Sequence, residues 1–226
     1  MYKQQDKNNL HGDLDFSGIE FVNLYGADLS AVSSIKGGKN MDLAFAKGLN
    51  GVLDFSETEN LNLYWTDLDN VSNIKFNVHA NYINMKCVGG VRWDLDFSNV
   101  KNILLSSTDL SAVKNIRFNS SANVIDLFDT RGLRGNLDFS CVDRLDLGYG
   151  NLSGVSAINF NKNARIIDLS RTVGLKGVLN FGNTKLVGLK NADLSQVIRI
   201  ICGEKTQLNH FNGFVDVIRE KNDKTR

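Results

Sequence analysis

The chain has 226 residues, 42% of them hydrophobic, and a formal net charge of +1 at pH 7. These values indicate one domain with a continuous core, and the small net charge argues against a nucleic-acid-binding surface and against an acidic mimic of nucleic acid. No run approaches the roughly 18 apolar residues of a membrane-spanning helix. The polar segment 1–9 lacks the apolar stretch of a secretory signal, so we expect a cytoplasmic protein, or one exported without an N-terminal signal peptide.

After a segment 1–12 that is predicted to cap the N-terminal end, apolar residues recur at a fixed interval over 13–202. From Leu53 to Ile200 each step is 21 residues, and the step before Leu53 is three residues shorter. The column comprises Leu14, Ile35, Leu53, Ile74, Leu95, Ile116, Leu137, Ile158, Leu179 and Ile200, and a second column two residues later comprises Phe16, Phe55, Phe76, Phe97, Phe118, Phe139, Phe160 and Phe181. Such a short period predicts a solenoid, in which each coil buries its apolar face against its neighbours.

A further pair of apolar columns indicates a second strand in every coil. Leu61 and Leu63 begin its regular part, which ends at Val187 and Leu189, and the intervals alternate between 22 and 20 residues. Apolar residues at positions i and i+2 are the pattern of a strand, and stacked coils would join such strands into parallel sheets. The repeating unit is therefore a pair of coils, 42 residues long.

The string Val142-x-x-Leu145-x-Leu147, followed by Leu152, resembles the leucine-rich repeat motif LxxLxLxxNxL, and the likeness extends over about residues 10–210. The resemblance implies a right-handed coil with parallel sheets and a concave sheet that binds partners. Because a 21-residue coil leaves little room for a convex helix, we expect a β-rich solenoid of about nine or ten coils with little helix. The motif's Asn is absent. Its positions hold Ala27, Ala46, Thr66, Val88, Thr108, Thr130, Gly150, Thr172 and Ala192. We expect Thr to replace it in part, and the neighbouring Asp28, Asp67, Asp109 and Asp193 to bind local backbone N–H groups.

Two columns predict how the coils hold together. The Phe column should stack as a spine, and Phe118→Ala at its centre is expected to cost about 3–5 kcal/mol. The residue between the Leu and Phe columns alternates in sign through Asp54, Lys75, Asp96 and Arg117, which predicts a ladder of surface ion pairs rather than a calcium site. Glycines at 48, 90, 132 and 174 are expected at positive φ.

Beyond the repeats, segment 203–226 is predicted to form a cap. Phe211, Phe214, Val217 and Ile218 recur with helical spacing, which predicts a short amphipathic helix followed by a tail.

Candidate binding residues follow from the faces that the strands present. Aromatic side chains flank the second strand column toward the N-terminus among several Asn residues, at Phe21, Tyr25, Phe45, Tyr64, Trp65 and Tyr82. Tyr and Trp of this kind are typical of protein-binding hot spots, although the rings could instead pack on each other and the Asn column could merely solvate the strands. Trp93, which stands where other units have Gly, either covers an irregular coil or offers an anchor. A second patch combines Asp126, Asp146 and Asp168 with Arg144 and Arg171.

No group of residues suggests catalysis. The three cysteines, Cys87, Cys141 and Cys202, have no metal-ligand spacing, and the three histidines are isolated. We therefore expect no enzymatic activity and no metal or cofactor. We expect instead that a protein partner binds on the concave sheet face. The alternatives are a structural or adhesion solenoid and a glycan-binding surface. The Asn- and Lys-rich, Pro-free sequence suggests a bacterial chain that grew by duplication of its 42-residue unit.

Overall fold

A computed structural model describes residues 2–3, 10–211 and 215–221. The chain divides into two compact units, Met1–Arg117 and Phe118–Arg226. In the described part of the chain the regular structure consists of strands paired in parallel, with no helix, and it forms a β-solenoid of about ten turns. The predicted β-rich solenoid is thus confirmed.

One side of the coils consists of short strands, and we call it the Asn side because Asn or Asp ends most of them. In the first unit these strands are β1 (Tyr2–Lys3), β3 (Phe21–Asn23), β5 (Asn40–Asp42), β7 (Asn60–Asn62), β9 (Tyr82–Asn84) and β11 (Asn102–Leu104). In the second unit they are β13 (Val124–Asp126), β15 (Arg144–Asp146), β17 (Ile166–Asp168), β19 (Leu186–Gly188) and β21 (Gln207–Asn209). Within each unit, every strand pairs in parallel with the next one in its series.

The other side carries the Phe column, and we call it the Phe side. Its strands are β2 (Gly12–Asp15), β4 (Val32–Lys36), β6 (Asn50–Phe55), β8 (Asn70–Phe76), β10 (Leu95–Phe97), β12 (Ile116–Phe118), β14 (Gly135–Phe139), β16 (Val155–Phe160), β18 (Lys176–Gly182), β20 (Gln196–Gly203) and β22 (Asp216–Glu220). The first four form one sheet, β10 pairs with β12, β14 pairs with β16, and β18, β20 and β22 form the last sheet. From β10 onward, the Leu-bearing strand of each 42-residue unit therefore pairs with its Ile-bearing partner.

Three hydrogen-bonded turns separate the strands of a regular coil. In the coil that begins at β7, the N–H of Thr66 donates to the Leu63 carbonyl, that of Val71 to Leu68, and that of Ala80 to Asn77, at 3.0–3.2 Å. Asp67 lies between the first two turns and forms an isolated parallel bridge with Gly89. Its Oδ1 accepts the N–H of Asp69 at 2.9 Å. As predicted, Asp28, Asp109 and Asp193 each accept the backbone N–H of the residue two positions later.

Rings of the Phe column pack on each other in pairs, and they are not equally buried. Phe55, Phe97, Phe139 and Phe181 are fully buried, whereas Phe76 and Phe118 are half-buried. Ring centroids of successive members lie 5.1–5.7 Å apart in the pairs Phe76–Phe97, Phe118–Phe139 and Phe160–Phe181. Phe118 is therefore not among the fully buried rings for which a loss of about 3–5 kcal/mol is expected, and we expect Phe118→Ala to cost less.

The shortened coil is explained by close packing of two glycines between β4 and β5. Gly37 stands in the Phe column, and a Cβ there would lie 2.5 Å from Thr58 Oγ1 and 2.8 Å from the Phe55 ring. A Cβ on Gly38 would lie 2.5 Å from the carbonyl oxygen of Ile19. The short connection thus requires glycine because the backbone passes so close to its neighbours. The glycines predicted at positive φ, 48, 90, 132 and 174, have φ of 68–80°.

Polar ladders stabilise the stack at the surface and inside. On the Phe side, Lys75 Nζ lies 3.1 Å from Asp54 and Arg117 lies 3.9 Å from Asp96, which confirms the predicted ion pairs. Inside, Thr66 and Thr108 are buried, and their hydroxyls donate to main-chain carbonyls at 2.7 and 2.5 Å. These threonines satisfy backbone acceptors at the positions where the motif has Asn.

The C-terminal helix prediction is wrong for its described part. Residues 216–220 form strand β22, which pairs in parallel with β20, and 212–214 lie outside the described residues. Arg199 pairs with Asp216 at 3.1 Å, and Arg219 donates to three carbonyls, including that of Thr206 at 3.0 Å. An exposed edge of β20 accepts one more strand more readily than it accepts a helix. At the other end, most of the predicted cap 1–12 lies outside the described residues; β1 pairs with β3, and Leu10 is buried.

Candidate interaction surface

The Asn side presents every second side chain to solvent because strand residues alternate between the faces of a sheet. In β7, Leu61 is buried between Asn60 and Asn62. The Oδ1 of Asn62 accepts the N–H of Tyr64 at 3.2 Å, and the same bond to the residue two positions on is made by Asn23, Asp42, Asn84, Asp146 and Asp168. Neighbouring coils are also joined, since Asn62 Nδ2 donates to Asp42 and Asn84 Nδ2 donates to Asn62. This column is therefore a structural ladder, as one of the two sequence interpretations proposed.

The turn after each of these strands contains a residue in the left-handed region. In the first coil, Ala27 N–H donates to the Leu24 carbonyl and Gly26 has φ of 65°. A positive φ at the third residue of a four-residue turn is the pattern of a type II turn, which favours Gly or Asn there. Later coils place other residues at this position with φ of 51–59°, namely Phe45, Trp65, Cys87, Ser107, Asp129, Tyr149, Arg171, Asn191 and His210. Bulky residues in this conformation lose about 1–2 kcal/mol relative to the right-handed region.

Four of the predicted site residues form one aromatic cluster, which we define as Tyr25, Phe45, Tyr64 and Trp65. The ring of Phe45 lies 5.3 Å from that of Tyr25, 5.2 Å from Tyr64 and 6.3 Å from Trp65, on which it stacks. Trp65 nevertheless keeps 59% of its surface exposed and Tyr25 keeps 49%. The rings therefore pack on each other and still offer a broad aromatic surface to solvent.

Phe21 and Tyr82 lie at a groove on the same face, which we call the Asn groove. It has a volume of about 280 Å³ and runs across β3, β5, β7 and β9. Phe21 is 52% exposed, whereas Tyr82 is half-buried, and burial raises the pKa of its phenol. Polar side chains of Asn23, Asn40, Asp42, Asn60 and Asn62 line the groove between the two rings.

Trp93, the seventh predicted site residue, lies on the Phe side, apart from the other six. Its indole N–H donates to the carbonyl of Ser72 at 3.1 Å, and Arg92 donates to the Val71 carbonyl at 2.7 Å while its guanidinium lies 5.0 Å from the Trp93 ring. Both carbonyls belong to β8, which is not paired with β10. Trp93 thus covers a break in the Phe-side pairing, which is one of the two roles that its position suggested.

The second unit has an exposed stack that sequence analysis did not assemble. Phe128 and Tyr149 lie 5.0 Å apart, and the Arg171 guanidinium lies 4.9 Å from the Tyr149 ring. All three follow their strands at the positions where the first unit has Tyr25, Phe45, Tyr64 and Trp65, so the same columns could have revealed them. Of the predicted acidic patch, Asp146 and Asp168 are neighbours in register, and both bind the turn that follows them.

Reactive side chains are dispersed. Cys87 is half-buried and Cys141 exposed, while Cys202 occupies the Phe column, where burial raises the pKa of its thiol. Within residues 10–211 and 215–221, no three His, Cys, Asp or Glu side chains are grouped so that they could hold a metal ion. None of the described segments is a helix that is long and apolar enough to cross a membrane.

No protein-family model matches this chain, and no curated protein and no solved structure is significantly similar to it.

Proposed function

We propose that this protein is a non-enzymatic interaction module of the leucine-rich repeat type that binds a partner protein on the exposed face of its Asn side. The observation that carries the proposal is the aromatic cluster, because it leaves Trp65 59% and Tyr25 49% exposed, and Trp65 is held in a backbone conformation that does not favour a bulky residue. Phe45 and Trp65 have φ of 59° and 56° at a turn position where Gly26 serves in the coil before.

Exposed Tyr and Trp supply large contact areas with little side-chain entropy to lose, which makes them the usual anchors of protein interfaces. The four rings are also pre-positioned, because Phe45 holds Tyr25, Tyr64 and Trp65 by direct contact. A partner that covers them gains buried apolar area without first ordering them. This argument favours binding over a purely structural role, which would be served as well by Gly at each turn.

The assignment to the leucine-rich repeat type is supported by the position and bonding of the buried threonines. Thr66, Thr108 and Thr172 stand where the motif has Asn, and each hydroxyl donates to a backbone carbonyl at 2.5–2.8 Å. These hydroxyls thereby replace, in part, the hydrogen bonds to the backbone that the Asn amide of the motif would make.

The test is a pull-down from lysate of the source cells with the intact protein and with the double variant Tyr64→Ala/Trp65→Ala. Ile198→Ala serves as the matched control, because Ile198 is 71% exposed but lies on the Phe side. Far-UV circular dichroism and thermal unfolding establish that all variants are folded. We expect a specific protein that is captured by the wild type and by Ile198→Ala and is lost with the double variant.

Capture that survives in the double variant would contradict the proposal. The absence of any partner for the folded wild type would favour a structural solenoid instead.

A further inference from the structure

The Asn groove is bounded by two rows of side chains that project from the same strands. One row contains Asn40 and Asn60, with Phe21 and Tyr82 at its ends. The other row contains Asn23, Asp42 and Asn62. The rows are separated by one inward-facing residue on each strand, about 7 Å, and the two rings are three strand spacings apart, about 14 Å. A groove of this size accepts one long side chain and the backbone beside it rather than a drug-sized ligand.

The negative charge of Asp42 is not required by the fold. Its Oδ1 accepts the N–H of Ala44 at 3.1 Å and the Nδ2 of Asn62 at 3.0 Å. In the flanking coils Asn23 and Asn62 make the same turn bond with an amide oxygen, at 3.0 and 3.2 Å. The turn therefore requires a hydrogen-bond acceptor at this position but no negative charge. The second carboxylate oxygen, Asp42 Oδ2, accepts no hydrogen bond from any described residue.

The centre of the groove is negatively charged. Asp42 is the one carboxylate among the described lining residues, and no Lys, Arg or His is among them. At the rim, Lys39 lies 3.2 Å from Glu20 and is attracted by Glu59 as well, so this ammonium is already compensated. Lys86 lies near Tyr82 at the far end. A neutral ligand would leave the Asp42 charge unpaired, whereas a cation would neutralise it.

From these observations we propose that the Asn groove binds a positively charged side chain, arginine or lysine, that the partner protein presents. The inference rests on the proposed function and specifies the chemistry of the partner. Asp42 supplies the charge and Asn60 an amide oxygen, while the ring at the end of the groove nearer to the bound side chain, Phe21 or Tyr82, adds a cation–π attraction. The adjacent aromatic cluster then covers the apolar part of the partner.

The experiment uses a fluorescein-labelled nine-residue peptide of alternating arginine and serine, and a second peptide in which neutral citrulline replaces every arginine. Fluorescence anisotropy measures their binding to the wild type, to Asp42→Asn and to Asp168→Asn. The last variant is the matched control, since Asp168 makes the same turn bond in the same column, 2.8 Å to Ser170 N–H, outside the groove. We expect the wild type and Asp168→Asn to prefer the arginine peptide by at least about tenfold, and Asp42→Asn to lose that preference.

Equal binding of the arginine peptide by the wild type and Asp42→Asn would overturn the inference, and so would equal affinity for the citrulline peptide. Saturable binding of the neutral sugar cellopentaose without binding of either peptide would also overturn it, and would indicate a glycan-binding groove. If Tyr64→Ala/Trp65→Ala abolishes partner capture while Asp42→Asn binds like the wild type, this inference fails but the proposed function stands. Capture that is insensitive to both variants would instead remove the proposed function.

Discussion

The rings of Phe118 and Phe139 lie 5.5 Å apart, yet Phe139 is fully buried while Phe118 is half-buried. The difference follows the two kinds of coil, although Phe160 of the Ile-bearing coil at Ile158 is also buried. Leu-bearing coils place their Phe at the centre of the stack, at Phe55, Phe97, Phe139 and Phe181, and the Ile-bearing coils with Phe76 and Phe118 leave theirs closer to solvent. Two residues that the repeat makes formally equivalent therefore differ in what they contribute to stability.

We expect Phe139→Ala to lower the free energy of unfolding by about 3–5 kcal/mol, because it removes a fully buried ring and leaves a cavity. Phe118→Ala should lower it by less than half as much, since its ring already contacts solvent. Urea denaturation of the two variants measures both values against the wild type. Equal losses would contradict the assignment of stability to burial of the Leu-bearing coils.

Acid should destabilise the protein through carboxylates that accept hydrogen bonds. The Ser56 hydroxyl, then the Ser56 N–H and Lys75, hold the pKa of Asp54 below its ordinary value, and bonds from a serine two residues on act likewise on Asp15, Asp28, Asp96 and Asp193. A lowered pKa stabilises the fold above the unfolded-state pKa of about 3.9, and that contribution is lost as pH falls through the folded-state value.

The melting temperature should therefore fall below about pH 4. Asp54→Asn should lower stability at pH 7 by a few tenths to about 1 kcal/mol, and the difference from wild type should shrink at pH 3. Thermal unfolding of both proteins at the two pH values measures this. A difference that stays constant with pH would show that the Asp54 charge contributes nothing.

Trp65 should be replaced more easily by glycine than by alanine. Alanine keeps the left-handed strain at φ of 56° and loses the contact with Phe45, whereas glycine loses the contact but relieves the strain. Trp65→Gly should therefore be more stable than Trp65→Ala by about 1 kcal/mol, although neither should bind the partner. Chemical denaturation compares the two, and a less stable glycine variant would mean that the turn does not strain its third residue.

The sequence was sufficient to predict the coil, the Phe column and the ion pairs, because a strict period determines which positions face inward. It was not sufficient for the C-terminal end. Helical spacing is shared by Phe211, Phe214, Val217 and Ile218. Val217 and Ile218 are β-branched, however, and β20 would have an unpaired edge without them, so pairing with that edge outweighs the helical spacing. Local periodicity contains no information about such an edge.

The candidate site was predicted only in part, because the sequence does not show the turn conformation or which side chains touch between coils. Six aromatic residues were correctly placed on one face, but the left-handed turn was not recognised because glycine marks it once, at Gly26. Phe128, Tyr149 and Arg171 stand in the same columns but were not assembled as a stack, because the sequence does not show how far each side chain extends toward the next coil. Trp93 was separated from the others only by the structure, which shows its bond to Ser72.

The pairing of Phe-side strands has a consequence for how such a chain can change length. From β10 onward, each Leu-bearing strand is hydrogen-bonded to the Ile-bearing strand of the same 42-residue unit. Removing or inserting a single coil would bring two strands of the same kind together and break this alternation. The smallest change that keeps the Leu-bearing and Ile-bearing strands alternating is therefore two coils, so we expect this solenoid to change length in steps of 42 residues.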